Sequence, residues 1–535
     1  MLERVVENWL DRASELSFQM PFCQMLSAEG HTVVHLTRHC GMELGKDILS
    51  IAPDGTPCAF QLKGAGGGRI TLKKWRDDLN SQVFDLVVGK INHPSIISQN
   101  HHKSYFVTNG TLDEEVIAAI DRMNAQWVDA GLPHLRLQTI VRGELLTRAQ
   151  SLENNLWPTE LSDVKTLLEL YLYDGKGPLP KDKLVSLFEA IFPLSVKLGE
   201  KPPTAEHCNR AIASAGVLCA LACSAFTKEQ NHVAELEAWT LYIAYIFALG
   251  TTWGLSAKIW RPQSEMALRH IGNTLVLLYE EIAKQDVFVK GTDILERPFT
   301  GVRWTVVAGY LSLLEAWPQD LPKGDFGESI NSFCRNNLNL LTIWSEGAVP
   351  FFLSLYWHLR RHDPTPKADF LLRDLIVYMV RKNHPESTSA IANPYYQTPD
   401  ILPHFFGFTE EKIADTFKGR SYSLESLVHL FVRRNWKQAM RWLWPEISRI
   451  KFISFDVDSP QDFFIWRSPR GITRSISPKP TKIWGELVAE ATESEGAAIP
   501  DIARTYPHFV LLYLMVCPHR SNSSVVRWLD LKFGA

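Results

Sequence analysis

Residues 45–63, GKDILSIAPDGTPCAFQLK, give the clearest prediction of local structure in the N-terminal part of the chain. Two apolar, β-branched runs flank the turn-forming residues Pro53–Pro57, a pattern that predicts a β-hairpin. If the turn centres on Asp54, residue i faces residue 108 − i, so Asp47 lies opposite Gln61. A change of register by one residue would break this pairing.

Three polar side chains gather at one end of this hairpin. Strand alternation puts Lys63 on the same face as Asp47 and Gln61, and turns Leu62 to the other face. An acidic residue, a side-chain carbonyl and a lysine offer oxygen ligands for Mg²⁺ and a cation near an attacking water, as metal-assisted phosphodiester hydrolysis needs. The alternative is an ordinary hairpin with an exposed Asp, Gln and Lys.

Residues 1–150 mix strand and helix patterns, which predicts an α/β unit. The predicted strands are HTVVHL (31–36), DILSIA (47–52), PCAFQLK (57–63), SYFVT (104–108) and HLRLQTIV (134–141). The predicted helices are Leu2–Leu16, Phe18–Ala28, Lys73–Val88 and Leu112–Met123. Thr111 and Glu114 form a capping-box pattern, which places a helix start there.

The remainder of the chain has a different pattern. From about residue 155 to 444, long apolar-periodic segments alternate with proline-rich breaks, which predicts an irregular helical region. After Pro445, KFISFDV (451–457), DFFIWRS (462–468) and GITRSIS (471–477) predict a small β insertion, followed by helices. The predicted domains are therefore 1–150, 151–445 and 446–535, and the last is either separate or part of the helical domain.

The N-terminal motif resembles that of a nuclease superfamily. Asp47, then thirteen residues, then Gln61 and Lys63 follow Gly45 and a predicted helix. This arrangement is similar to the PD-(D/E)xK nucleases, specifically to the Mrr-like restriction endonucleases, in which Gln often replaces the Glu. The further matching segments are FQ (18–19), Leu26, GHTV (30–33), SYFVTNGT (104–111) and EL (144–145). The resemblance covers residues 15–150 and implies a mixed central sheet flanked by helices.

The resemblance also implies a role for each residue of the motif. Asp47 and the Gln61 side chain would hold a divalent metal, Mg²⁺ or Mn²⁺, with the Leu62 backbone carbonyl as a further ligand. Lys63 would orient or help to deprotonate water and stabilise the developing phosphorane charge.

Accessory residues follow from the same resemblance. The family's first helix usually supplies a Glu where this sequence has Gln19, and Glu29 or Glu7 is a nearby carboxylate that could replace it. Gln82 lies where some related nucleases carry a supporting glutamine; a plain exposed residue is the alternative.

The glycine-rich segment GAGGGR (64–69) directly follows the motif strand. It could let the backbone approach a phosphate, with Arg69, Lys73 and Lys74 as charge partners, or it could be a flexible loop. The sequence has no GK[ST] motif, so no ATP-dependent step is expected.

A basic segment lies in the C-terminal third of the chain. Residues 416–482 hold thirteen Lys and Arg and five Asp and Glu, a net charge of +8. Basic residues can contact phosphates, and the tryptophans between them can stack on bases; a solvated helix face is the alternative. The candidate nucleic-acid contacts are Arg433, Arg434, Lys437 and Arg441.

Composition limits the class of protein and its compartment. The 535 residues are 45% hydrophobic and 21% charged, which excludes a disordered chain, a collagen-like repeat and a heptad fibre. The eight cysteines lack zinc-finger spacing and are expected to be reduced core residues. Residues 238–257 carry no charge; a buried helical hairpin is favoured over a membrane span, and the expected compartment is the cytoplasm.

The expected function is that of a Mg²⁺-dependent endonuclease that cleaves DNA, duplex DNA being the expected substrate. Bacterial defence against phage DNA is the setting that the resemblance implies. Two alternatives stay open. One is a scaffold with a catalytically inactive nuclease fold that binds nucleic acid or has a regulatory role, as Gln19 and Gln61 suggest. The other is an RNase toxin. The helical region would sense or position the substrate, or mediate self-association or docking of a protein partner.

Overall fold

The computed structural model of the protein forms two compact units, Met1–Ile271 and Gly272–Ala535. The described residues are 2–36, 46–91, 96, 101–153, 161–195, 201–284, 297–317, 326–336, 338–362, 367–388, 390–408, 417–468, 470–479, 482–493 and 499–534. Gly45 of the nuclease-like motif lies outside the described residues.

A mixed sheet forms the centre of unit 1. Its strands are β1 (Thr32–Leu36), β2 (Ile48–Ile51), β3 (Pro57–Lys63), β5 (Lys103–Thr108) and β7 (Leu137–Ile140), with a separate two-residue pair, β4 (Arg69–Ile70) and β6 (Thr111–Leu112). The sheet order is β1-β2-β3-β5-β7. The first three strands pair antiparallel, and β3, β5 and β7 pair parallel. The five predicted strands are therefore confirmed.

Unit 1 also contains most of the long helices of the N-terminal half. The helices are α1 (Leu2–Arg12), α2 (Glu15–Ala28), α3 (Leu72–Lys74), α4 (Asn80–Val88), α5 (Glu114–Asp129), α6 (Arg142–Glu153), α7 (Leu161–Tyr171), α8 (Lys181–Ile191), α9 (Ala205–Lys228), α10 (His232–Trp253) and α11 (Ala257–Lys284), which runs into unit 2. A π-helical turn, Trp75–Leu79, joins α3 to α4. The predicted capping box is wrong, because Thr111 lies in β6 and Asp113 is the N-cap residue of α5.

Apolar side chains cover both faces of the sheet. On one face Phe60 contacts Phe22 of α2, with ring centroids 5.5 Å apart. On the other face Phe106 contacts Trp75 at 5.5 Å, in a buried cluster to which α4 and α5 contribute. Because helices cover both faces, β3 is buried over six of its seven residues, as is typical of the inner strands of α/β sheets.

The apolar segments after residue 200 form a hairpin of two helices, α9 and α10. Both are long and apolar enough to cross a membrane by length and composition, and most of each apolar stretch is buried inside the protein. The outer side of α2 packs on α9, and Asn209 Nδ2 donates a hydrogen bond to the Ser27 carbonyl at 3.2 Å. The predicted buried hairpin is therefore present.

The division into units differs from the predicted domains 1–150, 151–445 and 446–535. Unit 1 continues to Ile271, because α9 packs on α1, α2 and α6 and belongs to the same core. The β insertion after residue 445 lies inside unit 2.

Unit 2 is mainly helical. Its helices are α12 (Arg297–Leu314), α13 (Phe326–Asn336), α14 (Val349–His362), α15 (Lys367–Asn383), α16 (Thr398–Phe405), α17 (Leu424–Arg433), α18 (Lys437–Ile447), α19 (Trp484–Glu493), α20 (Asp501–Arg504), α21 (Pro507–Val516) and α22 (Ser523–Phe533). The buried α14 packs on α12, α15 and α21, and α17 packs on α22. The predicted combination of an α/β N-terminal part and a largely helical remainder is confirmed.

The small sheet of unit 2 consists of β8 (Arg420–Ser421), β9 (Lys451–Val457) and β10 (Gly471–Ile476), in the order β10-β9-β8. Two of the three predicted strands are confirmed. The third, DFFIWRS, is wrong: Pro460–Phe464 is a 3-10 turn. Phe463 and Phe464 are both buried and each contacts the Tyr513 ring at 5.6 Å, whereas successive side chains of a strand point to opposite faces.

The seven cysteines that the structure describes are all buried. Burial raises the pKa of the Cys58 and Cys208 thiols to about 11. These thiols are therefore protonated near neutral pH and act as core residues.

Candidate active site

The β2–β3 hairpin carries the candidate site at the end opposite to its turn. The turn contains Gly55 with φ +83°, a left-handed conformation that favours glycine. The ladder pairs Ile48 with Phe60 and Ile51 with Pro57, so paired residue numbers add up to 108, as predicted.

Asp47 departs from this register and binds β3 on both sides of Gln61. Its N–H donates to the Phe60 carbonyl at 2.8 Å, and its carboxylate accepts from the Leu62 N–H at 2.6 Å. The N–H and C=O of one strand residue point to the same edge, so the Leu62 carbonyl also faces the edge that Asp47 occupies. The structure thus brings together the Asp47 carboxylate and the backbone of Leu62.

Gln61 is buried on β3 and contacts α4. Its Nε2 donates to Gln82 Oε1 at 3.2 Å, so Gln82 contacts Gln61, and its supporting role stays a prediction. Among the residues that the structure describes, no donor reaches Gln61 Oε1, although this atom is buried. A buried acceptor without a partner costs about 1–3 kcal/mol, which coordination to a cation would remove.

Lys63 ends β3 beside a carboxylate that the sequence analysis missed. Lys63 Nζ lies 3.5 Å from Glu15 Oε2, and both side chains are partly exposed. Glu15 is the first residue of α2, and its Oε2 also accepts from the Gly64 N–H at 3.4 Å. The signal was present in the sequence as a Ser14-Glu15 helix start, but only the fold places that start beside Lys63.

Close packing fixes the first turn of α2 against the end of β3. Ser14 is the N-cap and accepts from the Ser17 N–H. A Cβ at position 64 would lie 2.9 Å from the Glu15 nitrogen, so glycine is required for this approach. Buried Asn109 links the same regions, since it accepts from the Ala65 N–H and donates to two carbonyls at the α1–α2 corner.

The three predicted accessory residues lie on or beside α1 and α2. Gln19 is half-buried on α2. Glu29 follows the other end of α2, about 21 Å along the helix axis from Glu15, and pairs with Arg148. Glu7 accepts from Arg142, which also binds Asp11 and lowers the pKa of that carboxyl. Glu29 and Glu7 are thus held in other ion pairs.

Lys46 is a further titratable group beside Asp47. It is buried, and its Nζ donates to the Asp85 carbonyl of α4 at 3.1 Å. Desolvation by burial lowers the pKa of Lys46 to about 8. The sequence analysis gave this lysine no role.

The chemistry of the donors suits a hard divalent cation. The Asp47 carboxylate, Gln61 Oε1 and the Leu62 carbonyl are all oxygen ligands, as Mg²⁺ and Mn²⁺ prefer. The observation that favours a cation beside Gln61 is that its buried Oε1 has no hydrogen-bond partner among the described residues.

The glycine-rich loop 64–69 packs on the α1–α2 corner. A Cβ at Gly67 would lie 3.0 Å from the Asp11 Cβ. Arg69 is exposed and lies 3.6 Å from Asp113, and on α3 Lys73 is exposed and Lys74 is half-buried. These basic residues therefore flank the loop without forming its inner surface.

The structure divides the four predicted basic contacts of unit 2 into two kinds. Arg433 and Arg434 both bind the fully buried carboxylate of Asp530, at 3.2 and 2.7 Å. Arg434 also donates to the Tyr356 hydroxyl and the Gly534 carbonyl. These two arginines hold the end of α17 to α22.

Lys437 and Arg441 instead lie exposed on α18. The next residue, Trp442, is 84% exposed, although tryptophan is usually largely buried. We name Lys437, Arg441 and Trp442 the α18 patch. An exposed aromatic ring next to two cations is a combination suited to nucleic acid.

Comparison of the chain with protein-family models, with curated proteins and with solved structures finds no match.

Proposed function

We propose that this protein is a metal-dependent nuclease that hydrolyses phosphodiester bonds of DNA. The observation that carries the proposal is the succession of groups along the end of β3: Gln61 Oε1, which has no hydrogen-bond partner among the described residues, the Leu62 backbone, which binds the Asp47 carboxylate, and Lys63, which contacts Glu15. The order of helix, three antiparallel strands, helix and parallel strand agrees with the elements on which the resemblance to Mrr-like nucleases depends.

Each group has a distinct chemical task in this proposal. Asp47, Gln61 and Leu62 hold the cation, which when bound polarises a phosphoryl oxygen and lowers the pKa of water. Lys63 places positive charge where the phosphorane develops. Glu15, 3.5 Å from Lys63, orients that ammonium and accepts a proton from the attacking water.

The proposed setting is the cytoplasm of a bacterium, in defence against foreign DNA, with duplex DNA as the substrate. The α18 patch is the part of unit 2 proposed to contact the nucleic acid. Unit 2 is also proposed to mediate self-association or to bind a protein partner.

A cleavage assay with matched variants tests this function. Purified wild type, Asp47→Asn and Asp54→Asn are incubated with plasmid DNA, phage DNA and RNA, with Mg²⁺, Mn²⁺ or EDTA. Asp54 is the control, since it lies in the turn at the other end of the same hairpin and pairs with Lys103. We expect DNA cleavage with either cation, none with EDTA, and a loss of at least about 100-fold in Asp47→Asn only.

Other outcomes would identify the alternatives. Cleavage of RNA alone indicates an RNase, and binding without cleavage indicates a scaffold. Full activity of Asp47→Asn would show that the proposed active site is wrong.

A further inference from the structure

Unit 2 contains a compact cluster of two histidines and a glutamate. His358 and His362 lie one helical turn apart on α14, and Glu315 directly follows the last residue of α12. One ligand atom of each residue lies within 4.8 Å of the others. The proposed nuclease function uses none of these residues.

The three ligand atoms lie close together. Glu315 Oε2 lies 3.2 Å from His358 Nδ1 and 2.6 Å from His362 Nε2, and the two imidazole centroids are 4.9 Å apart. Ligands about 2.0–2.1 Å from a tetrahedral zinc ion are separated by about 3.3 Å. The distance from Glu315 to His358 is close to this separation, whereas the distance from Glu315 to His362 would have to lengthen to admit an ion.

His358 is the residue that an ion would satisfy. Its side chain is fully buried. Among the described residues, neither of its ring nitrogens has a hydrogen-bond partner, and the 3.2 Å approach of Nδ1 to Glu315 lacks hydrogen-bond geometry. A fully buried polar ring without such a partner is unusual in a folded protein, whereas coordination would occupy Nδ1.

Two helix ends and one arginine set the charge around the cluster. α12 ends at Leu314 and α14 ends at His362, so two helix C-termini, each with partial negative charge, lie at the cluster. Arg361, the residue before His362, interacts with Glu315, so a bound ion would share this carboxylate with the Arg361 guanidinium.

We propose that Glu315, His358 and His362 bind one transition-metal ion, Zn²⁺ in the cell, that fastens the end of α12 to the end of α14. Imidazole ligands select zinc and its neighbours over Mg²⁺. His362 is 33% exposed, so a water can fill the fourth position from that side.

The site lacks the base of a zinc peptidase. In such enzymes a Glu directly follows the first histidine of an i, i+4 pair, and here Leu359 has that place. The proposed role of the ion is therefore to stabilise unit 2.

Metal binding by the full chain tests the proposal. Untagged protein is stripped with a chelator and dialysed against ZnCl₂, and its metal content is measured by mass spectrometry. We expect one zinc per chain in the wild type, and at least about 100-fold weaker affinity in His362→Gln and Glu315→Gln. Replacement of Zn²⁺ by Co²⁺ is expected to give the visible spectrum of a four-coordinate site in the wild type only.

Two matched variants control for the alternatives. His384→Gln removes a histidine that contacts Glu446 at 3.0 Å, a pair to which the described residues add no third ligand, and this variant should keep the zinc. Asp47→Asn should also keep it, which separates this site from the nuclease site. Circular dichroism checks that each variant is folded. No zinc on the wild type, or equal zinc on folded His362→Gln, would overturn the proposal.

Discussion

Glu15 shows how a single residue acquires a role through the fold. The family pattern directs attention to Gln19, yet the carboxylate beside Lys63 comes from the first turn of α2, four residues earlier. Sequence spacing measures distance along a helix, but not which turn of the helix lies over the end of a strand. The close approach of Gly64 to the Glu15 backbone decides that.

A pair of glutamate variants tests this assignment. Glu15→Gln should lower the cleavage rate by about 100-fold, because it removes the proposed proton acceptor while preserving the size of the side chain. Glu29→Gln, at the other end of the same helix, should change it by no more than about two-fold. Single-turnover cleavage measures both rates, and equal effects would contradict a role for Glu15.

A pair of lysine variants tests the cation. Lys63→Ala should lower cleavage by about 10²–10³-fold, the effect of losing one group that stabilises transition-state charge. Lys103→Ala is the control, because Lys103 begins β5 beside Cys58, at the other end of β3. Undiminished cleavage by a folded Lys63→Ala would place the active site elsewhere.

His429 gives a prediction about pH. Burial, reinforced by the charges of Arg527, Arg433 and Arg434, lowers its pKa in the folded protein to about 3. In the unfolded chain the pKa is about 6.5, so below that pH only the unfolded state takes up the proton and stability falls toward pH 3.

Replacement of His429 should remove this part of the acid sensitivity. Between pH 7.5 and 4.5, the free energy of unfolding should fall by about 2–3 kcal/mol less in His429→Gln than in the wild type. Exposed His134, changed to Gln, is the control. Chemical unfolding at the two pH values measures the difference, and parallel losses in wild type and His429→Gln would contradict the low pKa.

The helices α17 and α18 divide the basic residues of 416–482 into two kinds. Those at the end of α17 bind a buried carboxylate, and those on α18 face solvent. Net charge identified the segment, but it does not distinguish an arginine that neutralises a buried carboxylate from one that faces solvent. Asp530 lies almost one hundred residues further along the chain, and only the fold brings it to Arg433 and Arg434.

The α18 patch is therefore the part to test for nucleic-acid contact. A Lys437→Ala, Arg441→Ala double variant should lower the magnitude of the slope of log K against log[salt] by up to about 1.8 on duplex DNA, if both residues contact phosphates. Lys165→Ala, an exposed lysine on α7, is the control. Fluorescence anisotropy gives the slopes, and an unchanged slope would remove the patch from the binding surface.

The sequence predicted the strands and their pairing more accurately than it predicted the contacts of the site residues. Turn residues and β-branched runs fix the β2–β3 register, and the rule that paired numbers add up to 108 holds from Ile48 to Ile51. It fails at Asp47, whose N–H and carboxylate bind residues 60 and 62. Local pattern determines pairing inside a strand, whereas a side chain that bonds to the backbone changes the pairing at its end.

In the chain as a whole, compact unit 1 extends to Ile271, beyond the predicted domain boundary at residue 150. That boundary followed the change from strand to helix patterns, and such a change does not show which helices share a core. The sequence did contain a signal: residues 18–27 of α2 have few polar side chains and are mostly buried, which indicates a helix covered on more than one side.

That double covering of α2 has a consequence for synthesis on the ribosome. The strands with Asp47, Gln61 and Lys63, and every helix up to α6, leave the ribosome before α9 does. About 75 residues separate the ends of α6 and α9, which at about 5–20 residues per second takes about 4–15 s. Until then α2 has one apolar side uncovered, so we expect the candidate site to remain incompletely folded in the nascent chain. Chains arrested after α6 should be digested readily by an added protease, whereas chains arrested beyond α10 should resist.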